Sequence, residues 1–186
     1  MIGLLISLGV LLILVFWVIG KYNLLVRLRN NRENAFADID VQLKQRHDLV
    51  PQLVAAVKGY AAHEKETLEN VVNARNGAVN AKSIDEKIVA ENALSSALAG
   101  LKVTVERYPD LKANTNFLHL QEEVSDIENK LAAVRRFFNS ATKELNTAVE
   151  MFPSNIIAGM FGFKKEMMFD LGEERKNLEK APEISF

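Results

Sequence analysis

Cysteine is absent from the 186-residue sequence, which excludes disulfides, thiolate nucleophiles and thiolate-bound metals. Three histidines and one tryptophan leave little material for metal or cofactor chemistry. Four prolines and nine glycines are few, as in a chain that is mostly helix. Neither sign of charge dominates: 23 Lys and Arg stand against 24 Asp and Glu. No bulk field therefore draws the chain to nucleic acid or to acidic lipid. Catalytic motifs are missing as well. There is no phosphate loop, no Gly-x-Ser-x-Gly and no dinucleotide fingerprint. A di-iron bundle needs two Glu-x-x-His pairs, and none occurs. His63-Glu64 lacks the second histidine of a His-Glu-x-x-His zinc helix. On one straight helix His47 and His63 would lie about 24 Å apart, too far to share a metal. The residues point to no reaction, no cofactor and no metal.

What the chain has is a long apolar run. Ile2–Gly20 carries no charge and is nearly all Leu, Ile and Val, with Phe16 and Trp17 near its end. As a helix it is about 28 Å long, close to the roughly 30 Å hydrocarbon core of a bilayer. A cleaved signal peptide needs a basic start and a small-x-small cleavage site. Here only Met1 precedes the run and Lys21-Tyr22 follows it. The expectation is an uncleaved single-pass anchor. Lys21, Arg27, Arg29 and Arg32 follow the span. The positive-inside rule thus predicts a cytoplasmic bundle and an amino terminus outside the membrane.

The stretch Ala35–His63 carries the next strongest pattern. Ile39, Leu43, Val50, Leu53, Val54, Val57 and Ala61 recur at helical steps, the seam of a helix in a bundle. Asp40, Arg46, His47 and Asp48 are threaded between them, and we take these four as candidate protein-interaction residues. From Lys21 to Asn76 the only breakers are Pro51 and Gly59. The apolar phase runs across Pro51, so a kink is expected there. Proline removes the hydrogen bond to the His47 carbonyl and leaves an acceptor to be satisfied. The helix is expected to continue through Leu68 and Val71 to a cap at Gly77. Asp40–Lys44 and Lys44–Asp48 are spaced for ion pairs along one face.

Ser83-Ile84-Asp85-Glu86 fits a capping box and opens a second helix bearing Ile84, Ile88, Leu94, Leu98, Leu101 and Val105. Tyr108-Pro109-Asp110 ends it. Asn114 is the expected cap of a third helix, whose seam runs Leu120, Val124, Ile127, Leu131, Val134, Phe138, Ala141, Leu145, Ala148 and Phe152. Three long helices imply an up-down-up antiparallel bundle, with a short fourth helix after Phe152-Pro153-Ser154-Asn155. That topology puts Phe152 at the membrane-distal end. Met151–Phe163 carries no charge; the expectation is that it folds back and completes the bundle, the alternative being that it stays exposed, as a binding surface does. Phe152, Phe161 and Phe163 join the candidate protein-interaction residues. Pro182–Phe186 looks extended and suited to dock on a groove. The division expected is a transmembrane anchor over residues 1–20, a helical stalk over 21–38, a bundle domain over 39–163 and a tail over 164–186.

Several separated blocks resemble the LemA family. They are Tyr22–Arg29, Ala35–Glu64, Glu128-Asn129-Lys130, Ala133–Asn139, Asn146-Thr147, Phe152–Asn155 and Phe161-Gly162-Phe163. The departures are mild: Gln45 where the family usually has a basic residue, and Phe137 and Phe138 where it usually has tyrosine. The resemblance implies a bacterial membrane protein with one amino-terminal span and an α-helical antiparallel bundle. It implies no agreed enzymatic activity.

The fold class expected is therefore all-α: a transmembrane helix, then an antiparallel three- to four-helix bundle of coiled-coil character. The function expected is a membrane-anchored scaffold of the bacterial inner membrane. It self-associates as a homo-oligomer and organises or supports other membrane proteins. Its partners are the lipid bilayer and further copies of itself, with no nucleic acid. The alternative is an adaptor or regulator that binds one membrane partner, such as a protease or sensor, through Asp40, Arg46, His47 and Asp48.

Overall fold

A computed structural model of the chain describes residues 1–169. These residues are helical, with no strand among them. The order is α1 (Ile2–Lys58), α2 (Lys65–Asn80), α3 (Ile84–Val105), α4 (Pro109–Lys112), α5 (Thr115–Glu150) and α6 (Ser154–Phe161). The docking expected for Pro182–Phe186 lies outside the described residues. Two compact units are present. The first joins Met1–Phe36 to Phe137–Met168, and the second joins Ala37–Arg136 to Phe169.

In α1 the side chains of the apolar run stand exposed along the helix, from Ile2 to Ile19. Among the described residues no protein surface covers them, as suits a membrane-spanning segment. The end of the run is covered in part. Ile157 and Ala158 of α6 close over Leu25, with Val18, Ala148, Val149 and Phe163 packed around them. The Tyr22 ring lies 4.7 Å from that of Phe161 and 6.0 Å from that of Phe163. Gly162 ends α6 with φ +74°, the left-handed cap that glycine adopts without steric cost. The chain then runs back along α5. The Asn146 amide donates to the Glu166 carbonyl at 2.9 Å and accepts from the Glu166 N–H at 2.8 Å. Lys165 adds an ion pair to Glu150 at 2.9 Å. Arg32 binds the same strap, through Glu166 at 3.2 Å and the Met167 carbonyl at 3.3 Å.

The second unit has its core among Val50, Leu53, Val57, Leu68, Val71, Leu94, Leu101 and Phe117. These are largely the seam positions legible in the sequence. Ile39 and Leu43 are buried as expected. Pro51 lies inside α1 without ending it. The carbonyl it frees, that of His47, accepts a hydrogen bond from Arg75 Nε at 3.1 Å. The acceptor is thus satisfied by a side chain from α2.

The helix through Lys21–Asn76 is not continuous. It stops at Lys58, turns through Gly59–Glu64 and restarts as α2, which carries Gly77 within it and ends at Asn80. Tyr60 and Ala61 both donate to the Val57 carbonyl, at 3.0 and 2.9 Å, and close the last turn. Side chains from a distant loop hold the bend. The Tyr108 hydroxyl donates to Glu64 at 3.0 Å, and the Asn114 amide donates to the Tyr60 hydroxyl at 2.9 Å. Donating to a carboxylate holds the Tyr108 proton, so its pKa rises above the ordinary tyrosine value.

This extra reversal changes the topology. Among the described residues α1, α2, α3 and α5 are the long helices, where three were expected. The sequence placed Phe152 at the membrane-distal end. Instead, the segment after α5 packs beside Val18, Tyr22 and Leu25, next to the apolar run.

The caps form as read. Glu86 N–H donates to Ser83 Oγ at 3.1 Å, while Glu86 accepts from the backbone of Lys82 and Ser83 at 2.9 and 3.3 Å. Asn114 Oδ1 caps α5 by accepting from Phe117 N–H at 3.0 Å. The two backbone donors hold the Glu86 carboxyl below its ordinary pKa. A depressed carboxylate stabilises above its unfolded pKa and loses that contribution as pH falls through the folded one. Glu86→Ala should therefore destabilise the protein at neutral pH. The gap to wild type should close on acidification below the usual glutamate range. Urea midpoints taken from pH 7 down to pH 3 would show it; a gap independent of pH would refute the assignment.

Candidate functional site

The seam of α1 skips from Leu43 to Val50, and Arg46 occupies the missing step. The seam of α3 runs from Ile88 to Leu94, and Glu91 fills the gap. These two opposite charges meet inside the second unit. Arg46 Nη1 donates to Glu91 Oε2 at 2.9 Å, with Arg46 2% and Glu91 1% exposed. Arg46 Nη2 donates to Ser95 Oγ at 2.9 Å and pairs with Glu128 Oε1 of α5 at 2.7 Å. The second oxygen of Glu91 lies 2.5 Å from His47 Nε2. One guanidinium therefore ties α1, α3 and α5 together.

A cleft of about 420 Å³ opens beside this cluster, walled by Leu53, Leu98, Leu101, Val105, Phe117 and Val124. Its polar end is Arg46, Ser95 and Glu128. Within the cluster Arg46 is held by two carboxylates, and His47 is held by one of them. The chemistry of the cluster is spent on holding helices together. Among the described residues no three His, Asp or Glu side chains gather to hold a metal ion.

The four polar residues singled out in α1 do not share one surface. Arg46 and His47 turn inward to Glu91. Asp40 and Asp48 turn outward, Asp40 to Lys87 of α3 at 2.6 Å and Asp48 to Lys44 at 2.9 Å. Asp40 thus reaches across to another helix rather than along its own to Lys44. The Lys44 hydrogen bond holds the Asp48 carboxyl below the ordinary aspartate value. His63 sits exposed in the turn after α1, and His119 pairs with Glu123 on α5. Arg135 stacks its guanidinium 5.1 Å from the Phe169 ring.

The three aromatic candidates fall in the first unit. Phe152 is 77% exposed. Phe161 is exposed on one side and packs against Tyr22 on the other, and Phe163 lies under the Arg29 guanidinium at 5.4 Å. Met151, Ile156 and Met160 stand exposed with them. Sequence reasoning missed Glu91 and Glu128. A carboxylate in the phase of an apolar seam was the available signal for Glu91. Glu128 flanks its seam, and its one signal was the Glu128-Asn129-Lys130 block, which does not point to Arg46.

An all-α bundle, an uncovered apolar amino-terminal helix and polar groups committed to packing define a membrane-associated helical protein. The LemA family profile matches residues 35–186. The chain belongs to the LemA family. A protein LemA from Metamycoplasma hominis is 27% identical over 160 residues, covering 85% of this chain and 73% of that protein. The magnetosome protein MamQ of Magnetospirillum gryphiswaldense is 22% identical over 175 residues, covering 80% of this chain. MamQ 1 of Paramagnetospirillum magneticum is also 22% identical over 175 residues. The match spans 64% of each MamQ protein, just under two thirds of its length. None of these names designates an enzyme.

Proposed function

We infer that this chain is a membrane-anchored scaffold that self-associates and organises or supports other membrane proteins, without catalysis of its own. The observation that carries this reading is α1. It runs from the apolar span to Lys58 as one helix, so the span and the first bundle helix belong to one element. A scaffold needs that continuity, whereas an enzyme needs uncommitted polar groups. Arg46, His47, Glu91 and Glu128 are instead bound to one another. The basic residues after the span favour a bundle on the cytoplasmic side of a bacterial inner membrane, with the amino terminus outside.

Light scattering coupled to size exclusion tests the self-association. The detergent-extracted full chain should elute as a defined oligomer at micromolar concentration. A strict monomer there would overturn the reading.

A further inference from the structure

The last turn of the apolar span and α6 occupy one packed cluster. Val18 belongs to the span, and it packs with Leu25 against Ile157 and Ala158. From Gly20, where the run ends, to Leu25 is about 8 Å along the helix axis. The headgroup zone on each side of the hydrocarbon is comparably deep. So α6 lies at the level of the bilayer surface, within the same unit as the span. Its inward face is Ile157 and Ala158. Its outward face is Ile156, Met160 and Phe161, and Phe152 stands just before the helix, with Phe152 77% and Met160 71% exposed. No charged residue interrupts Met151–Phe163.

We propose that the outward face of α6 lies in the interfacial layer of the bilayer that α1 spans, a second membrane contact beside the anchor. The occupant is lipid, by continuity with the span itself. Because the inward face of α6 packs against Val18 of the span, its outward face lies beside the end of the span, where acyl chains and headgroups meet. The flanking chemistry is that of an interfacial helix. Tyr22 and Phe161 pack ring to ring at 4.7 Å, an aromatic pair at the depth where such rings gather. Lys21 closes one side and Lys164 follows α6, with long stems that let their ammonium groups reach headgroups. A cleft of about 460 Å³ lies alongside, where Lys21, Lys143 and Glu144 stand over Leu24, Leu28 and Phe152, polar groups above an apolar floor. This proposal rests on the anchor and not on self-association, so the two fail separately.

The absence of cysteine makes a single label unambiguous. Full-length Phe152→Cys, Ile156→Cys and Met160→Cys are each labelled with an environment-sensitive fluorophore. The protein is reconstituted in vesicles of phosphatidylcholine with phosphatidylglycerol. Phe137→Cys serves as control, because Phe137 is exposed in the same unit on α5, about 20 Å along that helix from its end. Labels at Phe152, Ile156 and Met160 should emit to the blue of the control. They should be quenched most by lipids spin-labelled at the headgroup or upper acyl chain. Emission like the control's at those positions would overturn the proposal. So would a blue shift without lipid quenching, which means protein covers the face, or strongest quenching from the deep acyl position. Three separate positions guard against one label disturbing the fold.

Discussion

Arg46→Ala is expected to lower the unfolding free energy by about 3–5 kcal/mol, the usual loss when one partner of a buried ion pair is removed. The reason is what remains. Glu91 is 1% exposed and would keep only His47, while Glu128 and Ser95 would lose their donor. Arg46→Lys should fall between wild type and alanine. A point ammonium cannot reproduce the fork that reaches Glu91 and Glu128 at once. The double change Arg46→Met with Glu91→Leu should recover most of the loss, since well-packed apolar replacements of a buried pair are often neutral or better. Glu128 tolerates this because its side chain is 37% exposed and can hydrate. Denaturant midpoints for Arg46→Met, Glu91→Leu and the double form a cycle whose coupling term is the test. Additive effects would show that Arg46 and Glu91 act independently, against the geometry. Typical domains have about 5–15 kcal/mol in total, so a loss of this size is visible in any unfolding probe.

The bundle was legible in the sequence because its helices are amphipathic with a strict phase. The anchor, the capping box at Ser83 and the Asn114 cap were legible for the same local reason: each signal is complete within a few residues. The charged cluster was half legible. Arg46 was noticed as polar, but its place in the seam shows only when the gap from Leu43 to Val50 is set against that from Ile88 to Leu94 on another helix. Pairing two such gaps needs tertiary information. The break at Gly59 was hidden by register. Val57, Ala61 and Leu68 keep the apolar phase across the turn, so periodicity alone reads one helix. What ends α1 is remote: Tyr108 on Glu64 and Asn114 on Tyr60. Missing that one turn inverted the expected position of Phe152. The error in helix count became an error about the membrane.

Phe138→Ala should cost about 3–5 kcal/mol, through lost transfer free energy and the cavity left behind. Phe138 is wholly buried in the first unit. Phe36 meets it edge to face at 5.6 Å and 68°, and the Arg32 guanidinium lies 5.1 Å from its ring. Truncation removes the surface on which that buried cation rests. A desolvated cation over a ring contributes about 2 kcal/mol, part of the same loss rather than an addition to it. The neighbour supplies the contrast. Phe137 is 61% exposed, and Phe137→Ala should stay within about 0.5 kcal/mol of wild type. Identical side chains at adjacent positions thus have opposite expected outcomes. The distinction follows from phase alone: Leu131, Val134, Phe138, Ala141 and Leu145 share the buried stripe of α5, and Phe137 lies a step outside it. Equal losses at the two sites, measured by thermal unfolding in the same detergent, would mean that the stripe is not what packs this unit.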